Sequence, residues 1–317
     1  MRRIALWVLP AMAALAVAAT GWVYLAPRSA TEAALLAERT IARLERREAV
    51  LPSGLRYVWL EGGSGEPLLL LHGFAADKDN FTRVARHLTP HFRVIVPDHI
   101  GFGESSRPAG ADYRADAQVA RLRELMRHLG VARVHLGGSS MGGQIAMAYA
   151  ARHRDEVASL WLIDAAGIWS APRSELARLV LEQGRNPLIA RNEREFAEMI
   201  DFVMSDPPWL PRPVIDVMAQ DRIRNASLSQ DIFRQIATDS VEERVRGLRT
   251  PALIVWGEED RAIHVETASI LRRLLPASDV IVMPGVGHLP MLERPRRSAE
   301  DYLAFRQRIA RPSVPDH

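Results

Sequence analysis

The chain of 317 residues contains no cysteine. Disulfides, thiolate nucleophiles, cysteine-ligated metals and lipid attachment at Cys are therefore excluded. An excess of charge of one sign is lacking too: 41 Lys and Arg face 38 Asp and Glu, leaving a formal charge of +3. There is no basic block, no RNP-type sequence and no zinc spacing, so no nucleic-acid partner is expected. Internal repeats and low-complexity segments are also missing. What remains is 48% hydrophobic and 25% charged residues, an ordinary globular composition. The length suits one large α/β domain carrying an insertion, or two smaller domains.

The first feature present is apolar. After Met1-Arg2-Arg3 comes a charge-free run of 23 residues, Ile4 to Ala26. As a helix it would be about 34 Å long, enough for a hydrocarbon core of ~30 Å. Trp22 and Tyr24 fall near its far end, where aromatic rings favour the interface. The run is expected to be an N-terminal transmembrane helix that binds membrane lipid, spanning residues 1–27. With Arg2 and Arg3 on the cytoplasmic side of a bacterial host, the rest of the chain would be periplasmic. The alternative is a signal peptide cleaved after Ala16-Val17-Ala18, giving a secreted protein. Residues 28–54 read as a linker or stalk, with a helix from Thr31 to Val50.

Strand and helix patterns then alternate. Leu55–Leu60 reads as an early antiparallel strand, and Leu68–Leu71 as a fully buried one. Phe92–Asp98 is the next strand, Ala117–Leu129 a helix, Val134–Gly138 the central strand, and Val157–Asp164 another. Between Ile168 and about Arg249 no strand pattern is found; helical stretches broken by proline read as a lid over a pocket. Strands resume at Pro251–Trp256 and Asp279–Met283, and Ser298–Ala310 is a closing helix. This order predicts an α/β fold with a mostly parallel, doubly wound sheet. Residues 55–167 and 250–311 would form its core, 168–249 a helical cap inserted after the sixth strand, and 312–317 a tail.

Gly138-Ser139-Ser140-Met141-Gly142 fits G-x-S-x-G, the turn that lifts a nucleophilic serine off a strand end. Ser139 would need glycine where Met141 stands, so Ser140 is the candidate. The pattern alone is common in βα turns, and its partners must decide. A hydroxyl needs a base with a pKa near ambient, and a carboxylate to hold that base. Asp260 and His288 each follow a strand, in the order Ser…Asp…His. Asp164 also ends a strand and is the alternative acid. Asp98 reads as an organiser of the glycine loop after it, accepting backbone N–H groups. His72 reads as a brace of its own loop, His264 as a pocket-wall or surface residue, and Glu258 and Glu259 as solvated charges.

From Leu55 to Ala310 the chain resembles the α/β-hydrolase superfamily. The residues that carry the resemblance are His72-Gly-Phe, Pro97-Asp-x-x-Gly-Phe-Gly-Glu-Ser105, Gly138-x-Ser-x-Gly142, Trp256-Gly-x-x-Asp260 and Gly287-His-x-Pro-x-x-Glu293-x-Pro295. More narrowly, His72-Gly-Phe-Ala-Ala-Asp-Lys-Asp-Asn-Phe81 with Ser140-Met-Gly-Gly143 is similar to membrane-associated bacterial lipases and α/β-hydrolase-domain monoacylglycerol lipases. The resemblance implies Ser140 as nucleophile, His288 as base and Asp260 as orienting acid. It also implies the backbone N–H groups of Phe74 and Met141 as oxyanion hole. It implies a serine hydrolase cleaving carboxylic esters, lipase or monoacylglycerol lipase in type, with an acyl ester or acylglycerol substrate and neither cofactor nor metal. Two other readings compete. A carbon–carbon bond hydrolase uses the same triad, though Phe74-Ala75-Ala76 departs from its glycine-rich oxyanion loop. A catalytically inactive, membrane-tethered binding protein has no need of all three triad residues.

Overall fold

In the computed structural model, which describes residue 12 and residues 17–310, eight strands form one sheet. They are β1 (Glu45–Val50), β2 (Arg56–Gly62), β3 (Pro67–Leu71), β4 (Arg93–Pro97), β5 (Val134–Ser139), β6 (Val157–Ile163), β7 (Ala252–Gly257) and β8 (Ser278–Met283). Their order across the sheet is β1-β2-β4-β3-β5-β6-β7-β8. The two pairings of β2 are antiparallel, and β4, β3, β5, β6, β7 and β8 run parallel. The apolar runs Leu68–Leu71 and Val157–Ile163 are buried almost throughout, as a sheet covered on both faces demands. Leu69 and Leu71 face one core while Leu68 and Leu70 face the other, following the two-residue period of a strand.

Helices cover both faces. α1 (Pro27–Ile41) precedes the sheet, and α2 (Ala115–His128) and α3 (Met141–Arg152) flank β5. The cap contributes α4 (Glu175–Gln183), α5 (Glu193–Val203), α6 (Arg212–Arg224) and α7 (Ala226–Ile236). It is inserted between β6 and β7, and among the described residues it contains no strand. α8 (Glu266–Leu274) links β7 to β8, and α9 (Pro295–Ala310) closes the second face. There Tyr302 stacks on Trp161 of β6, with ring centroids 4.5 Å apart.

Two expectations for the N-terminal region change. The helix expected over residues 31–50 ends at Ile41, and Glu45–Val50 pairs with β2 as the edge strand β1. Its sequence Glu-Arg-Arg-Glu carries charges on both faces, which reads as helix surface but also suits a strand that must discourage further pairing. The linker expected over 28–54 is therefore part of the sheet and its packing. Most of the expected membrane helix (residues 4–11 and 13–16) lies outside the described residues, as does the whole of the expected tail, 312–317. Residues 17–25 are helical, and among the described residues no helix is long and apolar enough to cross a membrane.

Candidate active site

β5 lies between β3 and β6, and its last residues deliver Ser140 to the carboxyl edge of the sheet, where switch-point sites collect. Ser140 has φ 54° and ψ −119°, a conformation that costs a non-glycine residue on the order of 1–3 kcal/mol. The surrounding backbone holds it there: Ser140 N–H donates to Ile163, and its carbonyl accepts from Gln144 and Ala166. Strand and helix meet closely because Gly138 and Gly142 lack a side chain. A Cβ on Gly138 would lie 2.3 Å from the Gly142 carbonyl oxygen, and one on Gly142 2.0 Å from that of Leu71.

Met141 opens α3, so its N–H is among the amides a helix leaves without an internal partner, at the positive end of the dipole. The loop after β3 comes alongside. A Cβ on Gly73 would lie 3.2 Å from Ser140 Cβ, so the chain at residue 73 passes directly beside the serine. Phe74, Met141 and Ser140 line one cavity of about 360 Å³. His72 is fully buried beneath that loop, its Nδ1 paired with the Gly73 carbonyl and its Nε2 accepting from His99 N–H. Bracing is what the sequence suggested for it.

Asp260 and His288 come together although 28 residues separate them. His288 Nδ1 lies 2.8 Å from Asp260 Oδ2, and both side chains are almost completely buried. Asp260 Oδ1 accepts the amides of Ala262 and Ile263, so the carboxylate is fixed in orientation. Among the described residues neither His288 Nε2 nor Ser140 Oγ has a hydrogen-bond partner, and Ser140 lines the cavity. Such contacts commonly tighten only in the substrate complex. Glu293, whose part in the site the sequence did not reveal, accepts the N–H groups of Gly287, Ser205 and Asp206. It thereby pins the histidine loop to the end of α5.

Asp164 is close by. One oxygen or nitrogen each from Asp164, Asp260 and His288 falls within 4.8 Å of the others. Burial, and then the neighbouring Asp260, push the Asp164 carboxyl well above its ordinary range. Its Oδ1 accepts the Gly257 N–H. A metal ion here would have to displace the two amides and the ring nitrogen that Asp260 already holds. Asp98 does what its position suggested, accepting from the backbone of Lys78 and Glu104. His264 lines the cavity wall.

The buried histidines give the first testable consequence. Burial lowers His72 and His135 to about 4 and His99 well below its ordinary value. An unfolded chain takes up these protons near pH 6.5, so the folded state is favoured fully only above that value. Stability is expected to fall as pH drops from about 6.5 toward 4. Thermal melts across that window check it, and a midpoint that stays level or rises on acidification would contradict it.

Residues 66–295 match the family described as alpha/beta hydrolase fold. The chain is 48% identical over 277 residues to Lipase 1 of Psychrobacter immobilis, covering 85% of this chain and 86% of that one. It is 29% identical to the monoacylglycerol lipase ABHD6 of Homo sapiens, over 76% of each chain. Among solved structures it is similar to one titled "Crystal structure of a membrane phospholipase A, a novel bacterial virulence factor". That likeness has a TM-score of 0.88 and 38% identity, and covers 98% of this chain and 100% of that one.

Proposed function

The chain belongs to the alpha/beta-hydrolase-fold family and is a carboxylic ester hydrolase, and we propose that it acts as a lipase on lipid acyl esters through Ser140. The observation that carries the reading is the cavity onto which Ser140 opens. Its cap side is lined by Leu176, Leu188, Phe233 and Ile236, and at its mouth Trp169 and Leu181 are 50% and 65% exposed. An apolar chain can enter there while the ester carbonyl rests against Ser140. At about 360 Å³ the cavity lies toward the small end of ligand pockets, which run roughly 300–1,000 Å³. That suits a single acyl chain, as in a monoacylglycerol or a lysophospholipid.

In this mechanism Ser140 Oγ attacks the ester carbonyl while His288 Nε2 takes its proton. Asp260 holds the ring through Nδ1 and stabilises the imidazolium. The oxyanion meets the N–H groups of Phe74 and Met141. His288 then protonates the leaving alcohol, and a water activated by the same histidine releases the acid from the acyl-enzyme. A chain-length series of nitrophenyl esters and monoacylglycerols, run beside a dienone acid, tests the substrate class. Turnover of the esters, rising with chain length to a limit, is expected. Turnover of the dienone acid alone would favour the carbon–carbon hydrolase.

The reading includes a membrane tether at residues 4–26. Support comes from the apolar run itself and from the membrane phospholipase likeness. Such a tether acts on substrate capture more than on the chemical step. A chain lacking residues 1–26 retains α1, whose Ala30 and Thr31 are buried. It is expected to keep kcat on a short water-soluble ester and lose activity on monoacylglycerol in vesicles. Equal activity on both substrates would contradict the tether's role.

A further inference from the structure

The loop that follows Phe74 is held from above by the cap. Arg222, on α6, reaches down with its Nε donating to the Ala75 carbonyl at 3.1 Å and its Nη2 to Asp77 Oδ2 at 2.8 Å. Both side chains are largely buried, 19% and 21% exposed. Ala75 sits at φ 56°, a conformation a non-glycine residue keeps only when its surroundings impose it. Asp77 caps the short helix Lys78–Phe81 through Asp79 N–H, which fixes the far end of the loop. Behind it Lys78, the chain's single lysine, is buried between Asp98 and Glu104 at 2.9 and 2.7 Å. The carboxylates facing this cluster are thus matched by cations. Burial alone would raise the Asp77 carboxyl, but Arg222 and then Lys78 hold it well below the usual range.

We propose that Arg222 is a positioning residue for the oxyanion hole, setting the backbone of residues 74–77 so that the Phe74 N–H points at the reacting carbonyl. The inference rests on the reading of Phe74 as an oxyanion donor. Its physical basis is that a strained turn with two cap-supplied hydrogen bonds has one geometry, and without them has several. The donor that must be aimed at the developing charge belongs to the residue next to that turn. Cap seating and completion of the oxyanion hole then become one event, because a cap that lifts α6 withdraws both bonds. A further tie, from Arg39 on α1 to Asp79 at 2.7 and 2.6 Å, lies further from Phe74 and serves as a control.

The test compares Arg222→Gln, Arg222→Lys, Asp77→Asn and Arg39→Gln in the full-length protein on a short soluble ester. Arg222→Gln is expected to lower kcat by about 10- to 100-fold with KM little changed, less than the ~10²–10³ from losing a donor outright. Asp77→Asn, which keeps the capping oxygen, is expected to move the same way to a smaller extent. Arg222→Lys restores part of the rate, because an ammonium can still reach one of the two acceptors. Affinity for an arylboronic acid, which forms a tetrahedral adduct at serine, falls in step with kcat. Arg39→Gln lowers the melting temperature but leaves kcat close to wild type. A kcat unchanged in both Arg222→Gln and Asp77→Asn would overturn the proposal, as would losses that follow melting temperature across all four variants. Fluorophosphonate labelling of wild type and Ser140→Ala in parallel separates this failure from another. A wild type unlabelled at Ser140 means that the nucleophile reading has failed, whatever Arg222 does.

Discussion

Ser140→Ala is expected to abolish ester hydrolysis, lowering kcat by roughly 10³–10⁶, the range seen when one member of a cooperating set is lost. The fold should survive, since the bonds that fix this residue run through its backbone to Ile163, Gln144 and Ala166 and do not involve Oγ. A melting temperature close to wild type checks that. Ser139→Ala is the matched control. Ser139 is fully buried and ends β5, with its hydroxyl off the cavity wall, so its loss should leave substantial activity. Equal losses in the two variants would point to disturbance of the turn and away from a nucleophile.

The second large effect concerns the two neighbouring acids. Asp260→Asn is expected to lower kcat by about 10³–10⁴, because an amide neither stabilises the imidazolium nor enforces the tautomer with Nδ1–H facing it. KM on a short ester should change little. Asp164→Asn is expected to cost far less. Burial favours the uncharged form of Asp164, and an asparagine matches a carboxyl in shape and keeps an acceptor for the Gly257 N–H. Steady-state kinetics of the pair decide the matter. A loss in Asp164→Asn matching that in Asp260→Asn would mean that both carboxyls act together on His288.

Much of this site was readable because each element of chemistry follows a strand that is unmistakable in the sequence. Leu68–Leu71, Val134–Gly138, Val157–Ile163 and Pro251–Trp256 are apolar runs too short for helices, and Phe74, Ser140, Asp164 and Asp260 come just after them. Where a segment's burial did not follow the pattern, the sequence misled. β1 is charged on both faces because it is an edge, so its period carries no signal. Cap helix boundaries were visible mainly where proline interrupts, as at Pro187 and Pro211. Arg222 could not be found at all. It meets Ala75 and Asp77 across about 145 residues, and nothing local marks one arginine among 41 basic residues as the one that turns inward. Glu293 stood within a recognisable block, but its three backbone partners depend on how the cap lies over the histidine loop.

Active-site labelling reads out whether Ser140 is the nucleophile of an ester hydrolase. The intact protein is treated with a fluorophosphonate, digested, and the adduct located by mass spectrometry of the peptide holding residues 135–152. One equivalent of phosphonate on Ser140 is expected, with labelling that competes with an ester substrate and no adduct in Ser140→Ala. An adduct on Ser139, or active ester hydrolysis by a protein that takes up no label, would contradict it.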